Sequence, residues 1–330
     1  MSGERILIIR YSALGDVVLA TSVIEPLRRR FPGARIEWVT SAAAAPLLEG
    51  LPGVVAVHRL GRQGDEAPGA LARRLRGRFD LAIDLQEKVK SRWLALVAAP
   101  RRLYYRRRTP WEALRAVLGR DRPLQRAHAT RLYAEVLRPL GIEGPGPMAL
   151  AVPAAARDRA RALLGAVDRP LIGIAPGATW ATKRWAPERF AALADALHAG
   201  GHGLVLVAGP GDAAVAGAFR AALRAPLQAD LSTLPVDALA AALAELKLLV
   251  ACDSGPVHLA TAQGIPVLVL FGPTSTVRWA PPPPGRALSL GLACQPCSNH
   301  GGERCPLGHH DCLVRLEVEP VLAAARELLG

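Results

Sequence analysis

The chain has 330 residues, of which 51% are hydrophobic and 21% charged. This composition is ordinary for globular domains and excludes a disordered tail, a collagen-like rod and a small disulfide scaffold. At roughly 150 residues per domain, the length predicts about two domains. No apolar run approaches the ~20 residues that span a bilayer. Because Arg10 and Asp16 interrupt the N-terminal run, it does not form a signal-peptide core, and we expect a cytoplasmic protein.

The formal net charge of +13 lies almost wholly in the first half of the chain. Residues 1–150 contain 26 Lys and Arg against 14 Asp and Glu, a net of +12, and residues 151–330 have a net of +1. Such asymmetry predicts an anionic partner for the first half: a membrane surface, an acidic glycan or nucleic acid. A solvated basic face is the plainer interpretation. Nucleic acid is disfavoured because only 5% of the residues are aromatic, which is few for base stacking.

Short apolar strands alternate with amphipathic helices along the first half. The run Arg5–Arg10 predicts a buried parallel strand, and a helix follows the Gly15-Asp16 turn through about Arg30. Further strands are predicted at Ala34–Thr40, Val54–His58, Leu81–Leu85 and Arg101–Tyr105. This βαβα order predicts a parallel sheet with helices on both faces.

The Gly- and Pro-rich segment Gly141–Pro147 predicts a linker, after which the alternation restarts. Strands of the second half are predicted at Leu171–Ala175, Gly203–Ala208, Leu248–Cys252 and Val267–Phe271. A last helix, about 317–329, is apolar on one side and packs either on its own domain or back on the first one. The sequence therefore predicts two doubly wound α/β domains, 1–150 and 151–330, facing a cleft. Ligands bind such sheets outside the carboxyl ends of the strands.

The loop after the first strand, Tyr11–Asp16, places a carboxylate where ligands are expected. Asp16 has two interpretations, a helix cap or a functional carboxylate. The loop lacks the G-x-G-x-x-G spacing of dinucleotide-binding turns. A dehydrogenase with a nicotinamide cofactor therefore loses its main support.

A second loop follows the first strand of the second half. Gly177 lets the backbone approach a ligand closely, Thr179 supplies a hydroxyl, and Lys183 supplies a compact positive charge. Together they suit a phosphate or diphosphate, and an ordinary surface loop is the alternative. After the next strand, Asp212 in Gly209–Asp212 can accept ribose hydroxyls or cap a helix.

A third loop, Asp253–His258, again joins a strand to a helix. Pro256 fits the first helical turn, and the free N–H groups of that turn form an anion site. Asp253 can hold sugar hydroxyls. His258 either contributes to the site or makes a structural hydrogen bond beneath the loop.

Four cysteines gather near the C-terminus, spaced C-x2-C-x7-C-x6-C, with three histidines among them. Metal ligation by these thiols is one interpretation, either structural zinc or an iron–sulfur cluster; reduced thiols or redox bonds are the other. The spacing matches no standard site. The four residues are Cys294, Cys297, Cys305 and Cys312. Cys252 stands apart and is expected in the core.

These motifs, in this order, resemble those of the ADP-heptose:lipopolysaccharide heptosyltransferases, glycosyltransferase family 9. The resemblance runs from residue 5 to beyond 312. The residues that carry it are Ser12–Asp16, Gly177-Ala178, Lys183-Arg184-Trp185, Asp253–His258 and Phe271–Thr274. It implies the GT-B architecture, in which two Rossmann-like domains take the acceptor (N-terminal) and the nucleotide sugar (C-terminal). The chain departs from many members at Ala13 and at Pro256.

The resemblance also implies residue roles. Asp16 matches the general base, and Lys183 matches the residue that contacts the diphosphate and the sugar. The remaining donor-side matches are Thr179, Ser254, Gly255 and Pro256 for the phosphates, Asp253 for the heptose, Asp212 for the ribose and Leu234 for the adenine, and His258 is counted with the nucleotide-sugar-binding residues. On the acceptor side the matches are Ser12, Lys90 and Ser91.

The implied activity is inverting transfer of heptose from ADP-heptose to the inner core of lipopolysaccharide, with no obligatory catalytic metal. The Lys183-Arg184-Trp185 stretch favours addition of the second heptose. The implied acceptor is anionic and lies at the inner membrane surface, so the enzyme is expected to be cytoplasmic and membrane-peripheral. Two alternatives stay open: a GT-B transferase with another nucleotide sugar or a protein acceptor, and a nucleotide-sugar-binding module without turnover.

Overall fold

The computed structural model describes residues 3–61, 66–106 and 127–330. It forms two compact units, of which the first ends at Pro153 and the second runs over Ala154–Gly330. The division thus falls just beyond the predicted boundary between residues 150 and 151. In the part of the chain that the structure describes, none of the helices is both long and apolar enough to cross a membrane.

The first unit is built on a parallel sheet with helices around it. Its strands are β1 (Arg5–Ile9), β2 (Arg35–Thr40), β3 (Val54–Arg59), β4 (Leu81–Asp84) and β5 (Arg101–Tyr104), in the order β3-β2-β1-β4-β5. Its described α-helices are α1 (Leu14–Ala20), α2 (Ile24–Arg30), α3 (Pro68–Leu75), α4 (Val89–Ala98) and α5 (Ala129–Glu135). The central strand is β1, and its residues 6–9 are fully buried, as expected where helices cover both faces.

The helix predicted from Asp16 to Arg30 is interrupted. Between α1 and α2 lies a 3₁₀ turn, Thr21–Val23. The hydroxyls of Thr21 and Ser22 donate to the carbonyls of Val18 and Leu19 at 2.6 and 2.7 Å, and such back-bonding competes with regular helix geometry.

The segment predicted as a linker belongs to the first unit. Gly146 N–H donates to Ser22 O at 2.8 Å, Ala149 N–H donates to Thr21 Oγ1 at 3.0 Å, and Ala151 N–H donates to Leu47 O at 2.8 Å. Gly141–Pro147 is therefore not a free linker, because these bonds attach the chain to the first unit up to its boundary.

The second unit contains a six-stranded parallel sheet. Its strands are β6 (Leu171–Ala175), β7 (Gly203–Leu206), β8 (Leu227–Asp230), β9 (Leu248–Cys252), β10 (Val267–Leu270) and β11 (Arg286–Leu288), in the order β11-β10-β9-β6-β7-β8. The sequence missed the two edge strands, β8 and β11. The helices are α6 (Ala154–Leu164), α7 (Pro187–Ala199), α8 (Ala213–Ala222), α9 (Val236–Leu243), α10 (Gly255–Ala262), α11 (Thr276–Trp279), α12 (Asp311–Val314) and α13 (Val318–Leu329).

The last helix packs on its own unit. It contacts α7, β9 and β10, and its buried residues Val321, Ala324 and Ala325 join the core that contains Trp185 and Phe190. Of the two placements expected from the sequence, the structure therefore has packing within the second unit.

The order of each sheet fixes where ligands can bind. In the first sheet, β1 and β4 are neighbours, but the chain after β1 continues to β2 on one side and the chain after β4 continues to β5 on the other. In the second sheet, the same relation holds for β6 and β9. The crevice at the carboxyl ends of such a strand pair is called a switch point, and it is where ligands bind in doubly wound folds. The first switch point lies between β1 and β4, and the second between β6 and β9. All the predicted polar loops start at one of these two points, except the Gly209–Asp212 loop and the stretch that contains the four C-terminal cysteines.

Candidate active site

Asp16 is held by two side chains of the first unit. Its Oδ1 accepts a 2.8 Å hydrogen bond from the Tyr133 hydroxyl, and its Oδ2 lies 2.8 Å from a guanidinium nitrogen of Arg10. Ala13, not Asp16, occupies the N-cap of α1, so the capping interpretation of Asp16 is wrong. Asp16 sits in the first turn, where a carboxylate complements the helix dipole.

Both partners of Asp16 are buried. Tyr133 lies on α5, which packs against α1, and is 1% exposed; burial raises the pKa of its hydroxyl well above the usual value, so it acts as a neutral donor. Arg10 follows β1 and is also buried, and its guanidinium lies over the Tyr133 ring at 5.4 Å. Although burial opposes the charge on Arg10, nearby Tyr133 and Asp16 raise the pKa of the guanidinium. Asp16 is thereby fixed beside a permanent positive charge while 21% of its side chain stays exposed.

Gln86 joins the loops that follow β1 and β4. Its Oε1 accepts from the N–H groups of Tyr11 and Ser12 at 2.9 and 3.1 Å, and its Nε2 donates to Ser12 Oγ at 3.0 Å. Asp84, at the end of β4, accepts from the N–H groups of Gln86 and Glu87. The two loops at the first switch point are therefore braced together.

The predicted acceptor-side pair divides into one exposed and one buried residue. Lys90 is exposed on the first turn of α4. Ser91 is fully buried, its hydroxyl donates to Asp84 Oδ2 at 3.0 Å, and its Oγ accepts from Lys88 N–H. The geometry makes Ser91 a support for the loop, and Lys90 is the member of the pair that can reach a ligand.

Lys183 and Asp253 meet at the second switch point. Lys183 Nζ lies 2.8 Å from Asp253 Oδ2, with the side chains 14% and 7% exposed, and Thr274 donates to the same oxygen at 2.7 Å. Burial acts to raise the pKa of Asp253, but Lys183, Thr274 and His258 together lower it. Asp253 is therefore ionised at neutral pH. The bonds to Lys183 and Thr274 both use Oδ2, so neither of them occupies Oδ1.

The residues after Lys183 anchor its loop. Arg184 Nε donates to Ala178 O at 2.8 Å. Trp185 is fully buried, its indole N–H donates to Leu316 O at 2.8 Å, and its ring packs edge-on against Phe190. In Lys183-Arg184-Trp185, then, the lysine alone forms the ion pair of the site, and the other two residues hold the loop in place.

The N-terminus of α10 faces the end of β9. Ser254 is the N-cap residue, but its hydroxyl donates to Cys252 O at 3.1 Å and makes no cap bond to the helix. Ser254, Gly255 and Pro256 are half-buried. Pro256 has no N–H and the Val257 N–H donates to Ser254 O at 3.2 Å, so the N–H groups of Ser254 and Gly255 are the ones that this turn offers to an anion. His258 lies buried in the next turn, near the Trp279 ring at 6.3 Å.

Gly177 approaches a side chain of the protein itself. A Cβ built on Gly177 would lie 2.2 Å from Asp212 Cγ, and Asp212 Oδ2 accepts from Gly209 N–H at 2.9 Å. A larger residue at position 177 would displace the Asp212 carboxyl group, so the loops after β6 and β7 are in close contact here. Thr179 is exposed on the first of these loops, and Leu234 is half-buried between β8 and α9.

The five cysteines are free thiols. Cys252 lies in the core as expected, and burial raises its pKa to about 12. Within the described ranges, no three His, Cys, Asp or Glu side chains are arranged to hold a metal ion. The four thiols of the C-terminal cluster nevertheless lie close enough to influence one another. Burial is the main cause that raises the pKa of Cys312, and the thiols of Cys297, Cys305 and Cys294 raise it further. The donor set is chemically suitable, but its geometry does not support the metal interpretation.

The sequence missed three residues that shape the site: Arg10, Gln86 and Tyr133. Tyr133 gave no local signal, because its partner is 117 positions away. Arg10 did give one, since a charge at the end of an apolar strand requires a partner when it is buried.

Two parallel α/β units with polar loops at their switch points form the GT-B type of fold. A family model described as glycosyltransferase family 9 (heptosyltransferase) matches residues 69–308. The chain therefore belongs to glycosyltransferase family 9 and is a glycosyltransferase, as the sequence motifs predicted.

Individual relatives agree with this family. The chain is 28% identical to lipopolysaccharide heptosyltransferase 3 of Escherichia coli, with 81% of this chain and 83% of the relative covered. It is 28% identical to lipooligosaccharide heptosyltransferase 2 of Haemophilus influenzae, with 98% and 99% covered. The solved structure of E. coli ADP-heptose lps heptosyltransferase II superposes with a TM-score of 0.76 at 25% identity, over 98% of each chain.

Proposed function

We propose that this protein transfers heptose from ADP-heptose to the inner core of lipopolysaccharide. The observation that carries the proposal is the Lys183–Asp253 pair at the second switch point, next to the N-terminus of α10. A fixed cation and free N–H groups suit a diphosphate, and a carboxylate suits sugar hydroxyls. The named activities of the relatives supply the identity of the sugar.

The donor occupies the second unit in this proposal. Lys183 and the backbone N–H groups of Ser254 and Gly255 bind the diphosphate, Pro256 starts the helical turn that presents them, and Thr179 adds a hydroxyl. Asp253 holds the heptose through Oδ1, and His258 supports Asp253 from beneath. Asp212 binds the ribose, and Leu234 packs on the adenine.

Asp16 acts as the general base. It removes the proton from the acceptor hydroxyl while that oxygen forms its bond to the anomeric carbon, and the bond from this carbon to the diphosphate breaks. ADP leaves with the electron pair, so one displacement inverts the anomeric centre. Positioned proton transfer of this kind contributes roughly 10²–10⁴-fold. Ser12 and Lys90 bind the acceptor, and Ser91 positions the segment that carries Lys90 through its bond to Asp84.

Lys183 and the α10 N-terminus stabilise the charge that develops on ADP. These groups perform the electrostatic work that a divalent ion performs elsewhere, so we expect transfer to continue in EDTA. Elemental analysis of untagged protein addresses the cysteines separately: one zinc or iron per chain would assign a structural metal to them, and metal-free folded protein would exclude it.

Helix α4 is our candidate for the membrane-facing surface. Val89, Trp93 and Leu96 lie on one side of this helix and are 88%, 42% and 57% exposed, and positions spaced by four and three residues share a helix face. The exposed Lys88 and Lys90 supply positive charge on the first turn. An apolar stripe with basic neighbours suits an anionic bilayer surface and supports the proposal that the enzyme works at the inner membrane.

Sedimentation with vesicles tests this location. We expect binding to phosphatidylglycerol vesicles and little binding to phosphatidylcholine. The double variant Trp93→Ser, Leu96→Ser should bind less, whereas Leu307→Ser, which removes a 60% exposed side chain from the second unit, should bind like the wild type. Equal binding by both variants would reject α4 as the contact.

The decisive experiment for the reaction uses ADP-heptose and heptose-deficient core, with product mass and ADP release as readouts. We expect a gain of one heptosyl unit that Asp16→Asn abolishes without loss of donor binding, and weaker donor binding in Lys183→Ala. Donor binding without transfer to any acceptor would favour the binding-module alternative. Binding of UDP- or GDP-sugars in place of ADP-heptose would favour another GT-B donor.

The cores that the enzyme accepts will show whether it adds the first or the second heptose. We propose addition of the second heptose, on the strength of the Lys183-Arg184-Trp185 stretch. Cores that already carry one heptose should therefore be substrates. Transfer only to cores with no heptose would assign the enzyme to the first addition.

A further inference from the structure

We infer that residues 294–312, here called the cysteine segment, form the seat that positions Lys183 for the donor, with Gly301 as the critical residue. This inference rests on the proposed role of Lys183. Gly301 lies against the lysine stem: a Cβ built on it would be 2.9 Å from Cγ and Cδ of Lys183 and 2.9 Å from Trp180 Cβ. Non-bonded contacts this short essentially never occur, so a side chain at position 301 would force the stem of Lys183 or Trp180 to move.

The cysteine segment is also hydrogen-bonded to the residue before Lys183. Thr182 N–H and Thr182 Oγ1 both donate to Gly302 O, at 3.0 and 2.8 Å, and Gly302 N–H donates to Thr182 Oγ1 at 2.9 Å. His310 Nε2 donates to Thr182 O at 2.7 Å. Thr182 is 4% exposed, so these bonds are shielded from water and fix the backbone of the turn that presents Lys183.

The turn around Gly301 is itself locally braced. Ser298 Oγ accepts from Gly301 N–H at 2.9 Å, and the N–H groups of Cys297 and Ser298 donate to Pro273 O at 3.0 Å. Gly301 has a φ of +91°, a conformation that side chains other than glycine rarely adopt. The cysteine segment thus connects the loop after β10 with Lys183, and hydrogen bonds hold it at Pro273 and within the turn at Gly301.

Lys183 is consequently held from two sides. Asp253 fixes its ammonium group, and Gly301 with Thr182 fixes its stem and backbone. A displacement of about 1 Å at such a position can reduce a rate about a hundredfold. Thr182, Gly301 and His310 are therefore positioning residues for donor binding, and they act through Lys183.

The test compares Gly301→Ala with Gly308→Ala. Both glycines lie in the cysteine segment at positive φ, +91° and +79°, but a Cβ on Gly308 would have no atom within 4 Å. The two variants thus share the backbone strain, and only the first meets Lys183. With titration calorimetry of ADP-heptose, we expect Gly301→Ala to raise the donor Kd about tenfold or more and Gly308→Ala to stay near the wild type, at similar Tm.

A double-variant cycle isolates the path through Lys183. In the Lys183→Ala background, Gly301→Ala should no longer change the donor Kd. Thr182→Val should raise the Kd, Thr182→Ser should restore it, and the KM for the acceptor should stay constant throughout. Equal Kd values for Gly301→Ala and Gly308→Ala, or an effect of Gly301→Ala that persists without Lys183, would overturn the inference alone. Unchanged donor binding in Lys183→Ala itself would overturn the proposed role of Lys183 and the inference with it.

Discussion

The hydroxyl of Tyr133 donates a 2.8 Å hydrogen bond to Oδ1 of Asp16, across 117 positions of the chain. The acceptor of this bond is the residue proposed as general base, and its other oxygen is paired with buried Arg10. Because Tyr133 is itself fully buried, the carboxylate has a fixed orientation before any ligand arrives. Preorganisation of this kind removes an entropic cost from the reaction.

Tyr133→Phe removes that hydrogen bond while keeping the ring in the core. A hydrogen bond to a charged group contributes about 1.5–3 kcal/mol, so we expect kcat to fall by roughly tenfold or more with the donor Kd unchanged. Steady-state kinetics and calorimetry measure the two effects. Tyr104→Phe is the control, because its ring lies beneath Arg92, and an equal loss of kcat there would contradict a specific role for Tyr133.

Gly177→Ala should weaken donor binding through Asp212. The new Cβ would meet Asp212 Cγ at 2.2 Å and displace it, and losing about one hydrogen bond of ~1 kcal/mol corresponds to roughly a fivefold higher Kd. Gly211→Ala is the matched control on the neighbouring loop, since its Cβ would have no atom within 4 Å. If Asp212 binds no ligand, the two variants will bind ADP-heptose equally well.

The cysteines should differ sharply in reactivity. Burial raises the pKa of Cys252 to about 12 and, with the neighbouring cysteines, that of Cys312 to about 11. Burial also acts to raise the pKa of Cys305, but backbone N–H groups of residues 307–310 lower it overall. Since the thiolate is the nucleophile, iodoacetamide should label Cys305 first and Cys252 last, as followed by peptide mass spectrometry. Unfolded protein is the control, in which all five should react alike.

Stability should fall with acidification through His58. This histidine lies between Glu37 and Arg74, and burial lowers its pKa from 6.5 despite the hydrogen bond that its Nε2 donates to Glu37. Because the folded pKa is the lower one, the stabilisation is present above pH 6.5 and is lost as pH falls below it through the folded value. Urea unfolding from about pH 8 to about pH 5 should show a steeper loss in the wild type than in His58→Gln. The variant His198→Gln, in the second unit, should keep the wild-type slope.

Much of the fold was predictable because β1, β6 and β9 are continuous apolar runs, as strands buried on both faces must be. The edge strands β8 and β11 were not predicted, because they are short and their apolar runs are interrupted by Gln228 and Arg286. In the site, Asp16, Lys183 and Asp253 were predictable from their places after strands. Their partners were not: Tyr133 and Gly301 reach the site from distant segments, and no local pattern encodes such contacts.

Among the described residues, each sheet takes its strands from one continuous half of the sequence, and the loops at each switch point come from that same half. Substitutions that reshape the Asp16 loop therefore leave the strands beneath Lys183 untouched, and the reverse holds as well. Such a gene can diversify one recognition surface at a time. Recombination near codon 153 would exchange a whole sheet together with its loops, so a lineage can combine an Asp16 loop and a Lys183 loop that evolved separately.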